Sequence, residues 1–229
     1  MNIIITGASR GIGYELAKKL IQHGHQLIVI ARNRKKLQQM EKDFRSDNFH
    51  FLEFDLSVAD YNKVLVPFVK AHFTKVDILI NNAGLLINKP FEELTDDDFD
   101  RTFNLNVKSV FKLTRELLSI FSKGAHIVNI TSMGGVQGSA KFSGLSLYSA
   151  SKGALSVLTE CMAEELKVQN IKVNALALGA VQTEMLSQAF PDYKAPLQAE
   201  EMATFIADFA LTGHHYFNGK ILPVSVSTP

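Results

Sequence analysis

Seven short apolar runs, separated by stretches with helical spacing, leave this chain few folds to choose from. The runs are NIIIT (2–6), QLIVIA (26–31), HFLEF (50–54), VDILIN (76–81), HIVNI (126–130), KVNALA (172–177) and KILPVSV (220–226). Between them, GYELAKKLIQHG places apolar residues on one face and stops at Gly24, and NRKKLQQMEKDF reads as a charged helix. VLVPFVKAHF reads as part of a helix that tolerates Pro67 near its first turns. Further helices are expected near residues 97–122, 147–168 and 199–210. A strand that is apolar along its whole length is buried on both faces, and strands joined through helices run parallel. The expected fold is α/β: a doubly wound parallel sheet of about seven strands with helices on both faces. Neither a linker nor an internal repeat interrupts the series, so residues 1–229 read as a single domain. The longest irregular stretches are 132–146 and 183–198.

Composition limits the function. Hydrophobic residues make up 46% and charged residues 21%, as in ordinary soluble globular chains. The net charge of +1, from 24 basic and 23 acidic residues, supplies no field to gather nucleic acid or an anionic membrane. No apolar run approaches the roughly 18 residues that cross a bilayer, and MNIIITG is too short for a signal sequence, so the expected compartment is the cytoplasm. The single cysteine, Cys161, cannot form an internal disulfide and is expected to be a small packed side chain. His214 and His215 have no third ligand near them in sequence, and no metal site is expected.

In an open parallel sheet, ligands bind beyond the carboxyl ends of the strands, so the loops there should converge on one site. The first of these loops is TGASRGIG, residues 6–13, set between a strand and a helix. Gly7, Gly11 and Gly13 let the backbone turn tightly against a pyrophosphate. The following helix aims free N–H groups and its positive end at that anion. Ser9, Arg10 and Ile12 belong to the same expected cofactor contact, and the whole reads as a Rossmann-like dinucleotide site. No G-K-[ST] follows, which argues against ATP or GTP.

The end of the second strand bears on which dinucleotide. An acidic residue about twenty positions on binds the ribose 2′-hydroxyl of NAD, whereas arginine accommodates the 2′-phosphate of NADP. Here the chain reads Ala31, Arg32, Asn33, Arg34, and the first acid after them is Glu41. Arg10 can approach the same phosphate from the glycine loop, and no carboxylate is expected there to repel it. NADP(H) is the expected cofactor. The alternative is that Arg10 and Arg32 are solvated surface charges.

Tyr148 and Lys152 are four residues apart in YSASK, one helical turn on one face. Other short motifs stand at element boundaries: Asp55-Leu56 after strand three, NNAG (81–84) after strand four, NLNV with Asn106 in the long helix, and ITS ending at Ser132. In this order, together with TGASRGIG, they resemble the classical short-chain dehydrogenase/reductase family over essentially the whole chain, and within it 3-oxoacyl-acyl-carrier-protein reductase-like members. The resemblance implies a catalytic set of Asn106, Ser132, Tyr148 and Lys152, the last two also touching cofactor. It implies adenine contacts at Asp55 and Leu56, a cofactor wall at Asn82, Ala83 and Gly84, and carboxamide contacts through Val181 and Thr183. Asn106 would hold a water linking the lysine to solvent. On the residues alone, Asn106 also reads as a helix-interior asparagine satisfying a bend.

The chemistry fits those roles. Stabilising the Tyr148 phenolate from a pKa near 10 to neutrality takes about three units, roughly 4 kcal/mol. An ammonium about 4 Å away supplies roughly that much at an effective dielectric near 20. Ser132 would stabilise charge developing on the substrate oxygen, and Tyr148 would exchange the proton.

The expected function is an NADP(H)-dependent oxidoreductase interconverting a small-molecule carbonyl and an alcohol. The substrate could also be an acyl thioester, as for a 3-oxoacyl-acyl-carrier-protein reductase. A reading of another class is a non-catalytic NADP(H) sensor, which would have no need of a tuned phenol. By the same resemblance the chain is expected to be a homodimer or homotetramer. GSAKFSG, before Tyr148, reads as an insertion in the loop bordering the substrate. Met185, Leu186, Phe190 and Tyr193 would form an apolar cover. Thr95 reads as the cap of the long helix.

Overall fold

The expected alternation is present, strand by strand. The computed structural model describes residues 1–226; Ser227, Thr228 and Pro229, the end of the expected 1–229 domain, lie outside the described residues. The first half runs β1 (Asn2–Thr6), α1 (Gly11–Gln22), β2 (Gln26–Ala31), α2 (Arg34–Phe44), β3 (Phe49–Glu53), α3 (Val66–His72) and β4 (Val76–Asn81). The second half adds α4 (Asp96–Phe103), α5 (Ser109–Leu117), β5 (Phe121–Ser132), α6 (Ser146–Glu165) and β6 (Lys172–Leu178). A short β7 (Val181–Gln182), α7 (Glu184–Ala189) and β8 (Leu197–Gln198) follow, then α8 (Ala199–Thr212) and β9 (Ile221–Val224).

Seven strands form one sheet in the order β3-β2-β1-β4-β5-β6-β9, and every pairing in it is parallel. The chain winds outward from β1 in one direction and from β4 in the other. The switch lies between β1 and β4, which are joined in register at Ile3 and Ile78. Period-two alternation divides each strand between two cores. Ile3, Ile5, Leu27, Val29, Ile78 and Ile80 face α1 and α8, where they meet Leu16, Leu20, Met202 and Ile206. Ile4, Ile28, Leu79 and Ile127 face α3, α5 and α6, where they meet Val69, Leu113, Leu155 and Met162.

Local chemistry sets the ends of the elements. Asn33 caps α2 by accepting from the Lys36 N–H. Thr95 caps α4 in a reciprocal box with Asp98, as the sequence implies. Pro67 sits in the first turn of α3, and Pro223 lies on the edge strand β9, where a missing N–H breaks no ladder.

Three expectations are corrected. The helix expected over 97–122 is two helices joined by a π-helical turn at Asn104–Lys108, because Asn106 turns inward to bind backbone outside the helix. It ends at Leu117, and β5 begins at Phe121, whose pairing with Val76 precedes a register shift. Cys161 is exposed on the outer side of α6, not packed. The 183–198 stretch is also less irregular than expected, since β7 pairs with β8 across it.

His126 on β5 joins the terminal histidines in space, with its ring 5.3 Å from that of His214. It is 1% exposed, and both ring nitrogens are engaged, Nδ1 with the Ala210 carbonyl and Nε2 with the Asn174 amide. Burial lowers its pKa to about 4. A folded-state value below the unfolded 6.5 means that stability is intact above pH 6.5 and is lost as pH falls toward 4, by up to about 3 kcal/mol. Denaturant titrations at pH 7, 5.5 and 4 should show that loss, and His126→Gln should make the slope shallower, the remainder coming from His25, His50, His214 and the carboxylates with lowered pKa. An equal slope in both proteins would contradict the assignment.

Candidate active site

The carboxyl ends of the strands open into one cleft of about 990 Å³, at the upper end of the range for small-molecule sites. Its floor is the β1–α1 turn. Gly7 has a φ of +70°, and a Cβ there would stand 2.6 Å from the Ala83 Cα. Only glycine permits that approach. Thr6 Oγ1 accepts from the Asn82 and Ala83 N–H groups, and the Asn82 amide donates to the Thr6 and Gly7 carbonyls. The loops after β1 and β4 are thereby locked together, with the start of α1 facing the cleft.

The opposite wall is built by β5 and α6. Ser132 ends β5 and Tyr148 stands in the first turn of α6, where Ser132 is near enough to the phenol to favour its ionised form. The turn after Ser132 lies directly on the helix. A Cβ on Gly135 would stand 2.6 Å from the Gly153 nitrogen, so the missing side chain sets how closely β5 approaches α6. Lys152 is 3% exposed; its ammonium donates to the Ile130 carbonyl at 2.8 Å and lies 5.7 Å from the centre of the Tyr148 ring. Burial holds the Lys152 pKa down to about 8. Lys152 does not bring the expected lowering of Tyr148: burial raises the phenol, and Ser132 is what opposes it.

Asn106 lies behind this pair, fully buried. Its side chain accepts from the Leu85 N–H at 2.8 Å and donates to the Leu85 carbonyl and to Ser151 Oγ, each at 2.9 Å. Ser151 in turn donates to the Tyr148 carbonyl. Asn106 thus ties the loop after β4 to the first turns of α6. Below it, Asn81, Asn129 and Thr159 continue a buried hydrogen-bonded chain from β4 through β5 to α6.

The remaining expected cofactor residues come together as well. Ser9, Arg10, Gly11, Ile12, Gly13, Arg32, Asn33, Leu56, Gly84, Val181 and Thr183 all line the cleft. Asp55 and Asn106 do not reach the wall. The Asp55 carboxylate is turned to Ser57 and, at 3.9 Å, to Arg32. Thr183 Oγ1 caps α7 by accepting from the Leu186 N–H.

One expectation about charge fails: a carboxylate does stand beside the arginines. Glu184 lies 3.1 Å from Arg10 and 3.3 Å from Lys36. Both Glu184 and Lys36 line the cleft, and neither carries a local sequence signal, since they meet only when the chain folds. The 138–144 loop brings Phe142 to the wall along with Met185, Leu186, Phe190 and Tyr193, and is held to the 85–90 segment by the Lys89 N–H on the Gly144 carbonyl.

Residues 1–194 match the short chain dehydrogenase family. The chain belongs to that family. An L-xylulose reductase of Caenorhabditis elegans is 34% identical over 187 residues, 80% of this chain and 72% of that protein. A 3-oxoacyl-[acyl-carrier-protein] reductase of Rickettsia bellii is 30% identical over 234 residues, 97% of this chain and 94% of that protein. The crystal structure of a 3-ketoacyl-(acyl-carrier-protein) reductase from Brucella melitensis, complexed with NADH, superposes with a TM-score of 0.87 at 26% identity, covering 97% of this chain and 96% of that one. This short-chain dehydrogenase is therefore an oxidoreductase of a family that binds a nicotinamide cofactor. Its fold is the Rossmann-like one of its structural relatives. The cleft fits such a cofactor: a side-chain-free cradle at Gly7, a helix start behind it, and cations at the end of β2. Among the described residues no helix is long and apolar enough to cross a membrane.

Lys152 allows a direct check of the buried charge. With a folded pKa near 8 against 10.5 unfolded, the ammonium opposes folding below pH 8, and that penalty fades as pH rises from 8 to 10.5. Lys152→Met should be more stable than the native protein at pH 7, by at most about 3 kcal/mol, with the gap narrowing by pH 10. Denaturant melts at the two pH values measure it, and a variant less stable at pH 7 would refute the reading.

Proposed function

We propose that this short-chain dehydrogenase is an NADP(H)-dependent enzyme interconverting a small-molecule carbonyl and an alcohol. The observation that carries the proposal is the convergence of Ser132, Tyr148 and Lys152 on one cleft with the glycine loop. The loop's N–H groups and α1 would hold the pyrophosphate, Arg10 and Arg32 the 2′-phosphate, and Asn82, Ala83, Gly84, Val181 and Thr183 the nicotinamide end. A nicotinamide held there would exchange a hydride with the substrate carbon and, when oxidised, add positive charge beside Tyr148.

Ser132 donates to the substrate oxygen and stabilises the charge that develops on it. Tyr148, beside Ser132, delivers the proton in reduction and removes it in oxidation. Lys152, its ammonium 5.7 Å from the ring centre, would favour the phenolate over the phenol. Its own pKa near 8 keeps it mostly protonated at neutral pH. Asn106 and Ser151 position Tyr148 and Lys152 by fixing the turn on which they stand.

Apolar groups at Phe142, Met185, Leu186, Phe190 and Tyr193 favour a substrate with an apolar body. The near full-length similarity to a 3-oxoacyl-[acyl-carrier-protein] reductase keeps acyl thioesters as the second class. A homodimer or homotetramer in the cytoplasm completes the reading, and mass measurement in solution decides the assembly.

NADPH oxidation at 340 nm, against ketones, diketones and acetoacetyl thioesters, tests the function. Tyr148→Phe should bind NADPH like the native protein and lose turnover by roughly 100-fold or more. If both proteins bind NADPH and neither turns over any of these substrates, the chain is a cofactor sensor instead. Arg32→Ala should weaken NADPH several-fold more than NADH, and equal losses would remove the NADP(H) assignment.

A further inference from the structure

Glu184 reaches from the cover to both elements that flank the adenosine end of the cleft. It begins α7, directly after the capping Thr183. Its Oε2 lies 3.1 Å from Arg10 Nη1 on the glycine loop, and its Oε1 lies 3.3 Å from Lys36 Nζ. Lys36 is in the first turn of α2, where its own N–H is bound by the capping Asn33. Arg10, Asn33 and Lys36 all line the cleft beside Arg32. These are the groups a 2′-phosphate would meet, and one carboxylate on the cover engages two of them.

We propose that Glu184 is a specificity-determining residue for the cofactor, a carboxylate that competes with the 2′-phosphate of NADPH for Arg10 and Lys36. The proposal rests on the NADP(H) reading above. A phosphate with about −1.5 to −2 charges and three acceptor oxygens outcompetes one carboxylate for the same donors, but it must first displace it. NADH carries no group at that position and leaves both ion pairs in place. Glu184 therefore sets the preference for NADPH below the value that Arg10 and Lys36 alone would give. It also links cofactor identity to the cover, because the carboxylate that NADPH displaces is the one fastening α7 to the glycine loop and α2. All three side chains are 42–52% exposed, so the contacts are weak enough to exchange. Arg10, and after it Lys36, holds the Glu184 carboxyl below the ordinary range, so the group is ionised at neutral pH.

The test is a set of dissociation constants for NADPH and NADH, by cofactor fluorescence, in the native protein, Glu184→Gln, Lys36→Ala and the double variant. Glutamine keeps the shape of the side chain and removes its charge. Each exposed ion pair moves an equilibrium by roughly 1.5- to 5-fold. Glu184→Gln should therefore tighten NADPH by roughly three- to tenfold while changing NADH by less than about twofold. In the Lys36→Ala background the gain should shrink, since part of what Glu184 competes for is gone. Equal changes for the two cofactors, or weaker NADPH binding, would overturn the proposal. Failure of the NADP(H) reading has a different signature: equal losses of both cofactors in Arg32→Ala, with the NADPH-to-NADH ratio in Glu184→Gln still readable on its own.

Discussion

An ammonium group buried, among the described residues, without a carboxylate beside it governs the arrangement of this site. Among the described residues Lys152 Nζ has one hydrogen-bond partner, the Ile130 carbonyl, and its pKa near 8 reflects the loss of water around it. A charge in that position persists only if the surrounding structure forbids the side chain from escaping to solvent. The rigidity comes from β5 and α6. The Gly135–Gly153 approach presses the turn after Ser132 onto the helix, the Asn81–Asn129–Thr159 chain ties that helix to two strands, and Asn106 with Ser151 holds its first turns. Thr6, Asn81 and Thr131, buried near the carboxyl ends of the central strands, surround this site together with Asn106 and Ser151, whereas His126 and Asn174 are buried toward the other end of the sheet.

Much of this was legible in the sequence, for reasons that differ by element. Strands buried on both faces are apolar throughout, so the seven runs announce themselves, and helices joining them force the parallel order. The glycine loop is legible because close backbone approach excludes every other residue type at Gly7. Tyr148 and Lys152 are legible because one turn of one helix carries both. The interruption at Asn106 was not, since α4 and α5 share an apolar periodicity that runs past the π-helical turn; what diverts the backbone is Leu85, 21 positions away. The early start of β5 was hidden because Phe121 and Ser122 fall within the helix expected over 97–122, and the strand reaches His126 only past a register shift and Gly124 at a φ of +89°. Glu184 was invisible for the same kind of reason as Leu85: its partners, Arg10 and Lys36, are 174 and 148 residues distant.

The two ends of the cleft obey different electrostatics. Lys152 is only 3% exposed, and a single charge there weighs up to a few kcal/mol. At the end of β2, Arg10, Arg32, Arg34 and Lys36 are paired with Glu184, Asp55 and Glu53 at distances of 3.1–3.9 Å on a half-exposed surface. There salt and solvent reduce each contact to a fraction of a kcal/mol up to about one. Substitutions at the exposed end can therefore shift which dinucleotide is held in small increments without disturbing proton transfer. On the proposed reading, a change at the buried end alters the stability of the fold and the chemistry together, because the same charge underlies both.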